Sequence, residues 1–377
     1  MQIKDAWLHA AAPQDVLHLI AAAGYQAYVV GGCVRNALIG VPVTDIDIAT
    51  DARPETVMSL AETAGLRAVP TGIEHGTVTL VADGQGFEVT TFRSDVETHG
   101  RHATVAFSSD LHEDATRRDF TMNALYARAD GTVLDPLGGL PDLHARRVRF
   151  VGDATARIRE DYLRILRFFR FHAQYGDPAQ GLDPDALAAC AAGVEGLDRL
   201  SHERIGAEMR KLLSATDPAP AVGAMAQCGA LAHILPGAQP DALAVLVHLE
   251  AGIAPDWLRR LLVLGGQTDH LRLTRREARD LDKMRAALAS MTPAAEMAYR
   301  LGEGIARNVV LARAALFETP LPTDLQDSIA RGAAARFPLR AQDLPHLQGP
   351  ELGAQLRALE ERWIASNFTL SKAELLG

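Results

Sequence analysis

Hydrophobic and polar residues follow two different patterns along the chain. Before residue 140, short apolar runs at 28–30, 76–82 and 87–92 predict strands, and a run of helical period at 54–64 predicts a helix among them. Beyond Asp142, apolar residues recur every three or four positions, and no strand-rich segment returns. The pattern therefore predicts an α+β protein, with an α/β head followed by helices alone.

Two further segments complete the prediction for the head. Residues 94–109 are polar, contain Gly100 and show no clear period, so they predict a long mobile loop. A helical pattern resumes at 113–128. The sequence Asp-Pro-Leu-Gly-Gly at 135–139 then predicts a break between the head and the helices that follow it.

Residues 28–50 carry the most informative chemistry and predict a strand, a glycine turn, a short helix and a second strand. Asp45 and Asp47 lie two positions apart, so both should project from one face of the second strand while Ile46 and Ile48 point inward. Two carboxylates on one face suit Mg²⁺, which prefers oxygen ligands and keeps positions open for water or phosphate. The same spacing is common on solvated strand edges, so the pair alone is weak evidence.

The glycine pair upstream strengthens the prediction of a catalytic site. Gly31 and Gly32 let the backbone approach a triphosphate, and the amides that open the following helix would face its negative charge. Arg35 adds a fixed positive charge. Glu88, on a later strand, could complete the metal site or orient the attacking group, although an exposed glutamate on an edge strand has the same pattern.

A polar cluster downstream suits the ribose and phosphates of a nucleotide. Asp119 and Asn123 lie four residues apart on the predicted helix, and Arg117 and Arg118 stand at its start. A carboxylate and an amide can bind ribose hydroxyls, and the arginines can bind phosphates. A solvated, ion-paired helix would show the same pattern.

Residues 160–171 predict a surface that reads a base. On a helical wheel Asp161, Arg164 and Arg167 share one side, and two phenylalanines fall on that side, which indicates partial enclosure. One acceptor and one donor match the edges of cytosine and adenine and mismatch those of uracil and guanine. The alternative is an ordinary salt bridge between helix residues.

Composition and charge narrow the class of protein. A chain of 377 residues is expected to form two or three domains. The formal net charge of -9 argues against an indiscriminate polyanion binder, but residues 146–171 hold eight arginines against three acids, which predicts a local nucleic-acid surface. The three cysteines lack the spacing of disulfides or a zinc site, and no apolar stretch reaches the roughly 20 residues that span a bilayer. We expect a cytoplasmic protein without zinc or a membrane anchor.

Taken together, these segments resemble the class II tRNA nucleotidyltransferase and bacterial poly(A) polymerase family of CCA-adding enzymes. The resemblance covers roughly residues 25–215 and rests on five motifs in the family's order, GGCVRN with DID, EVTTFR, EDATRRDFTMNA, DPLGG and EDYLRILRFFRF. It implies template-independent addition of C, C and A to the 3′ end of tRNA from CTP and ATP.

The resemblance also implies a domain order. A polymerase β-like nucleotidyltransferase head with a small mixed sheet would occupy residues 1–140. A helical neck for base recognition would follow at 141–215, and a helical body and tail that hold the tRNA acceptor end at 216–377. The segment at 94–109 would correspond to the flexible element that helps to switch from C to A addition.

By the same resemblance, each motif residue has an expected role. Asp45 and Asp47 would bind the catalytic Mg²⁺ ions, with Glu88 as a further acidic residue near them. The remaining residues would contact the nucleotide, with the triphosphate held by Gly31, Gly32 and Arg35, the ribose and phosphates by Arg118, Asp119 and Asn123, and the base by Asp161, Arg164 and Arg167.

One position departs from the family pattern, and several alternatives stay open. Asn36 stands where the family usually has aspartate, which puts the role of that residue in doubt. A poly(A) polymerase shares the same motifs, although such enzymes usually carry a strongly basic tail. A partial enzyme that adds only CC or only A is a further alternative, and a non-catalytic RNA-binding protein on this scaffold is another.

Overall fold

The computed structural model describes residues 1–99 and 102–377, and the side chains of residues 95–99 and 102–105 lie outside the description. The described residues form two compact units, 1–234 and 235–377. The first contains a mixed sheet, and helices make up most of the remainder. The predicted α+β class is confirmed.

The first unit contains all the named strands of the described residues. They are β1 Ala27–Val30, β2 Asp47–Thr50, β3 Arg67–Gly72, β4 Thr77–Ala82, β5 Gln85–Thr91, β6 Arg93–His99, β7 His102–Phe107, β8 Tyr126–Ala127 and β9 Val133–Leu134. The larger sheet has the order β3-β4-β5-β2-β1-β8-β9, and β6 pairs with β7 separately. β2 and β5 are parallel and the other neighbours are antiparallel, so the sheet is mixed as expected.

Helices surround this sheet and continue beyond it. Those of the first unit are α1 Ala6–His9, α2 Ala11–Ala22, α3 Gly32–Ile39, α4 Pro54–Thr63, α5 Leu111–Thr116, α6 Leu140–His144, α7 Ala154–Glu160, α8 Leu163–Tyr175, α9 Pro184–Gly193, α10 His202–Leu213, α11 Ala219–Gln227 and α12 Ala230–Ile234. Short 3₁₀ helices lie at Ile73–His75, Thr121–Asn123 and Val194–Arg199.

The alternation of buried and half-buried side chains along the strands shows which face of the sheet forms the core of the head. In β4 the side chains of Val78, Leu80 and Ala82 are buried, while those between them are half-buried. This strand packs against α2 and α4, whose apolar stripes cover the sheet. The last three residues of β2 are also buried, so the first residue of this strand, Asp47, is held at a fixed place on the sheet.

A cluster of phenylalanines joins α8 to the segments around Phe120 and Phe150. The Phe120 ring centroid lies 4.8 Å from that of Phe171 and 5.0 Å from that of Phe150. Phe168 packs on Phe150 at 5.7 Å, and all four side chains are buried. The cluster fixes α8 against residues 117–123, which carry predicted site residues.

Two local predictions were wrong. Residues 93–99 and 102–107 form the antiparallel strands β6 and β7 rather than a loop, and residues 100 and 101 lie outside the described chain. The helix expected at 113–128 ends at Thr116, and Phe120 is extended, with φ -122° and ψ 148°. The Asp119 side chain accepts from the backbone N–H of Phe120, a local bond that competes with helix formation.

The second unit is helical, as predicted. Its helices are α13 Asp241–Leu249, α14 Trp257–Leu264, α15 Arg275–Ser290, α16 Ala294–Leu301, α17 Glu303–Leu316, α18 Leu325–Ala334, α19 Gly349–Ala365 and α20 Lys372–Leu376, with 3₁₀ helices at Asp269–Leu271 and Ala341–Asp343. Near the end of this unit, Trp363 lies in an apolar cluster and packs against the rings of Tyr299, Phe337 and Phe368. None of the helices in the described part of the chain combines the length and the hydrophobicity that a membrane crossing requires.

Candidate active site

The glycine turn lies between β1 and α3. Gly31 precedes the helix with φ +72°, a conformation that favours glycine, and its N–H donates to the carbonyl of Leu125. A Cβ at this position would lie 3.3 Å from Nη1 of Arg118 and 3.6 Å from the backbone oxygen of Asn123. The absence of a side chain at Gly31 therefore lets the segment that carries Arg118 and Asn123 approach the turn closely.

The predicted carboxylates lie beside this turn. Asp47 is the first residue of β2 and is paired directly with Val30 on β1 and Glu88 on β5. Asp45 is exposed and lies just before the strand, where its carboxylate accepts from the Thr44 hydroxyl at 3.1 Å. Burial raises the pKa of Asp47, and the charges of Glu88 and Asp45 raise it further, while Arg118 lowers it. The three acidic groups are thus close enough to interact.

This donor set fits a divalent cation. Within residues 1–99 and 102–377, no group of three or more His, Cys, Asp or Glu side chains is placed to enclose a metal ion. Mg²⁺ is usually bound through one or two carboxylates, and water and substrate phosphates complete its shell. A cation at Asp45 and Asp47 would also relieve the repulsion that raises the pKa of Asp47. The two aspartates therefore fit the ion that the sequence predicted.

Arg118 is fixed by two residues that the sequence analysis did not select. Its Nη2 donates to Asp114 at 2.9 Å and its Nε to the Tyr126 hydroxyl at 3.0 Å, and that hydroxyl donates to Asp114 at 2.7 Å. Burial opposes the charge of Arg118, but Tyr126 and Asp114 outweigh it, so the pKa of Arg118 is raised. The guanidinium is held beside Gly31 and within the field of Asp47.

Asp119 and Asn123 form a second cluster with two arginines. Asn123 Nδ2 donates to Asp119 at 2.8 Å across a 3₁₀ turn rather than along the expected helix, and Arg167 Nε donates to the same carboxylate at 2.8 Å. Burial would raise the pKa of Asp119, but Arg167 and Asn123 lower it to about 2. Arg35 Nη1 donates to Asn123 Oδ1. A chain of hydrogen bonds therefore runs from α3 to α8.

The Arg35 side chain is buried beside the glycine turn, where a Cβ at Gly32 would lie 3.7 Å from its Nη2. It is 5% exposed, its Nη2 donates to Tyr175 at 2.9 Å, and its guanidinium lies 3.9 Å from the centroid of the Tyr175 ring. Its Nε and Nη2 also donate to Asn36 Oδ1, and Asn36 Nδ2 donates to the carbonyl of Pro42. An aspartate could not make this last bond, because a carboxylate has no N–H.

The predicted base-reading residues lie near one another, but their partners differ from those expected. Residue 161 is extended between α7 and α8, so the continuous helical wheel was wrong there. Asp161 is bound by Arg204, which the sequence analysis did not select. Arg164 donates to Glu160 and Arg167 to Asp119. Asp161 is close enough to Arg167 to raise its pKa, after the larger effects of burial, which lowers it, and Asp119.

Comparison with known proteins gives the family. The model described as Poly A polymerase head domain matches residues 27–149, and the one described as Probable RNA and SrmB- binding site of polymerase A matches residues 181–241. A protein named CCA tRNA nucleotidyltransferase 1, mitochondrial, from Danio rerio is 35% identical over 377 residues, 93% of this chain and 86% of the relative. The chain belongs to the CCA tRNA nucleotidyltransferase family. It is therefore an enzyme, and the resemblance drawn from the sequence is confirmed.

Other members of the family support the same assignment. The CCA-adding enzyme of Geobacillus thermodenitrificans is 44% identical over 216 residues, 57% of this chain and 52% of the relative. The solved Bacillus stearothermophilus CCA-adding enzyme in complex with CTP has a TM-score of 0.73 and 29% identity, over 94% of this chain and 92% of that one. The Thermotoga maritima enzyme complexed with tRNA_CCA shares the fold, with a TM-score of 0.72 at 19% identity over 100% and 97% of the chains. Nucleotidyltransferases of this family generally use a divalent metal ion.

Proposed function

We propose that this chain adds C, C and A in turn to the 3′ end of tRNA, from CTP and ATP and without a template. The names of its relatives and the CTP complex of a solved relative support this reaction. In the chain itself, the observation that carries the proposal is the pairing of Asp47 with Glu88 beside the Gly31 turn and Arg118. This arrangement combines carboxylates for a cation with donors for phosphate.

The domain roles expected from the sequence are part of the proposal. Residues 1–140 form the catalytic head, and residues 141–215 form a neck that reads the base. Residues 216–377 form a body and tail that hold the acceptor end of tRNA. Four of the eight arginines between 146 and 171 are exposed and support a nucleic-acid surface near the neck, namely Arg146, Arg147, Arg149 and Arg159.

The triphosphate binds at the turn. Gly31 lets the phosphates approach closely, although its own N–H donates to Leu125, and the backbone amide of Gly32 opens α3, where a helix start favours negative charge. Arg118 adds a guanidinium that is already fixed by Asp114 and Tyr126, so little side-chain freedom is lost when it binds a phosphate. Arg35 is buried and donates to Asn123, so its positive charge acts on the triphosphate without a direct contact. Asn123 and Asp119 face the ribose.

The chemical step is a nucleotidyl transfer. The 3′-hydroxyl oxygen of tRNA attacks the α-phosphorus and loses its proton to solvent. A new P–O bond forms, the bond from the α-phosphorus to the oxygen bridging to the β-phosphorus breaks, and that oxygen leaves with pyrophosphate. Asp45 and Asp47 would hold Mg²⁺, which when bound lowers the pKa of the hydroxyl and neutralises charge on the leaving group. Glu88 orients the hydroxyl from the neighbouring strand. Arg118 stabilises the charge on the phosphates.

The base is selected by the neck. Asp161 accepts from the exocyclic amino group that cytosine and adenine share, and Arg164 and Arg167 supply donors for their ring nitrogen. In the structure these two arginines are half-buried and bound to Glu160 and Asp119, so the nucleotide must compete for them. Uracil and guanine present the opposite pattern and are rejected.

A reducing compartment such as the cytoplasm is the proposed location. Cys33, Cys190 and Cys228 are free thiols, and burial raises the pKa of Cys33 to about 11, which keeps that thiol unreactive. Because some relatives are named mitochondrial, cell fractionation should compare the cytosol with the organelle.

A tRNA extension assay tests the proposed reaction. Purified protein, Mg²⁺ and a tRNA transcript without its last three nucleotides are incubated with CTP, with ATP or with both. We expect growth by three nucleotides that then stops, and only with both nucleotides present. Long tails made from ATP would indicate a poly(A) polymerase, and one or two added nucleotides would indicate a partial enzyme. No extension would contradict the proposal and favour a non-catalytic RNA-binding protein.

A further inference from the structure

Arg204 binds the carboxylate of Asp161 through two hydrogen bonds. Arg204 Nη1 donates to Oδ1 at 3.1 Å and Nη2 donates to Oδ2 at 2.6 Å. Both side chains are about one quarter exposed, at 25% for Arg204 and 24% for Asp161. A planar guanidinium that binds both oxygens fixes the rotation of the carboxylate as well as its position.

The acceptor capacity of Asp161 is largely used by this arrangement. Besides Arg204, Oδ1 accepts from the backbone N–H of Leu163 at 3.1 Å. Each carboxylate oxygen can accept about two hydrogen bonds. The contacts of the described residues therefore fill Oδ1 and leave one position open on Oδ2. That single open acceptor suits the single amino group on the edge of cytosine or adenine.

Tyr162, the residue that follows Asp161, is also fixed by packing. The ring of Tyr162 lies directly on the backbone of Gly196, so that a Cβ there would be 2.0 Å from Cδ1 of the ring. The guanidinium of Arg199 lies over the same ring, with Cζ 5.4 Å from its centroid. Asp161 is thus fixed through its own carboxylate and through the residue that follows it.

We propose that Arg204 is a positioning residue for nucleotide selection, which acts by holding the Asp161 carboxylate with one acceptor facing the base. The inference depends on the proposed role of Asp161 in reading the base. Arg204 lies 43 residues further along the chain, on α10. It links the choice of nucleotide to the helix that packs against α8.

The test measures nucleotide discrimination rather than activity alone. Arg204→Gln removes the charge and the paired donors, whereas Arg204→Lys keeps the charge as a single point without the planar pair. For each variant, kcat and KM are measured for CTP, ATP, UTP and GTP on a tRNA transcript without its last three nucleotides. Lys211→Gln is the matched control, because it removes one positive charge from the exposed side of the same helix.

We expect Arg204→Gln to lower the preference for CTP over UTP by about 10-fold to 100-fold, with a smaller loss in Arg204→Lys and none in Lys211→Gln. In an Asp161→Ala background, Arg204→Gln should cause no further loss, since it acts through that carboxylate. If both Arg204 variants keep wild-type discrimination and only melt at a lower temperature, the residue is structural and the inference is wrong. If Arg204→Gln does not fold, the result for Arg204→Lys decides. Wild-type protein that uses all four nucleotides equally would instead contradict the proposed function.

Discussion

Replacing Asp114 with asparagine tests whether one buried carboxylate positions Arg118. Asp114 is 1% exposed and accepts from Arg117, Arg118 and the Tyr126 hydroxyl. Burial alone would raise the pKa of Asp114, but the two arginines and the hydroxyl lower it from 3.8 to about 2. Since one pKa unit corresponds to about 1.4 kcal/mol, these interactions stabilise the folded state by about 2–3 kcal/mol at neutral pH.

Asp114→Asn should remove most of this stabilisation at pH 7. Because the pKa is lowered in the folded state, the contribution is fully present above pH 3.8 and is lost as the pH falls to about 2. A second effect concerns Asp47, whose pKa Arg118 already lowers. Without Asp114, Arg118 is freer to pair with Asp47 and competes with the cation, so the variant should need more Mg²⁺.

Two measurements check this prediction. Urea unfolding at pH 7 reports the loss of stability, and nucleotide addition at varied Mg²⁺ concentration reports the competition at Asp47. Asp110→Asn is the matched control, because the exposed Asp110 caps the same helix by accepting from the N–H of His112 and asparagine caps equally well. The control should change stability by less than about 0.5 kcal/mol. If Asp114→Asn keeps the wild-type unfolding midpoint and the wild-type Mg²⁺ requirement, Asp114 does not position Arg118.

Three further predictions concern the turn, the second unit and the acid response. Gly31→Ala puts a side chain at φ +72°, so it should lower the free energy of unfolding by at least about 1 kcal/mol and slow nucleotide addition. Gly223→Ala is the control, because Gly223 lies in a helix with open space around it and the change should not destabilise the fold. Glu250→Gln removes the carboxylate that faces two buried arginines and should lower the free energy of unfolding, measured in urea, by about 3–5 kcal/mol. Glu303→Gln breaks an exposed ion pair and should lower it by less than about 1 kcal/mol. Asp119→Asn should flatten the fall of stability between pH 3.8 and about 2, measured as urea midpoints, because the lowered pKa of Asp119 stabilises the fold only above that range; an unchanged acid response would contradict this.

The head was predictable where burial leaves a period in the sequence. The strands β1, β2, β4 and β5 each bury apolar side chains, and the helix α4 shows an apolar stripe. Burial of alternate or helically spaced residues is the signal that the sequence carries. The paired glycines then marked the turn, since Gly31 lies between β1 and α3 and Gly32 is the first residue of α3.

The strands β6 and β7 were missed because backbone pairing alone leaves no mark on the order of apolar residues. The end of α5 was missed for a different reason. Phe120 is drawn into the cluster with Phe150 and Phe171, and this tertiary contact outweighs the local preference for helix. Such contacts join residues far apart in the chain, so a window of neighbouring residues does not contain them.

In the candidate site too, contacts between neighbouring residues could be predicted from the sequence, and long-range contacts could not. Asp114 could have been found, because it lies four residues before Arg118, the spacing of a helical ion pair. Arg204 could not, since its pairing with Asp161 depends on how α10 packs on α8. The burial of Arg35 against the Tyr175 ring is a long-range contact of the same kind, which the sequence around Arg35 does not contain.

The extension assay on a pair of aspartate variants tests whether Asp47 belongs to the catalytic centre. Asp47→Asn removes a proposed Mg²⁺ ligand at the start of β2, and Asp51→Asn is the control, because Asp51 follows the other end of that strand and binds Gln26. Both receive tRNA without its last three nucleotides, CTP, ATP and Mg²⁺. We expect that Asp51→Asn adds three nucleotides, whereas Asp47→Asn adds none but still binds tRNA. Near wild-type extension by Asp47→Asn would contradict the assignment of the catalytic centre.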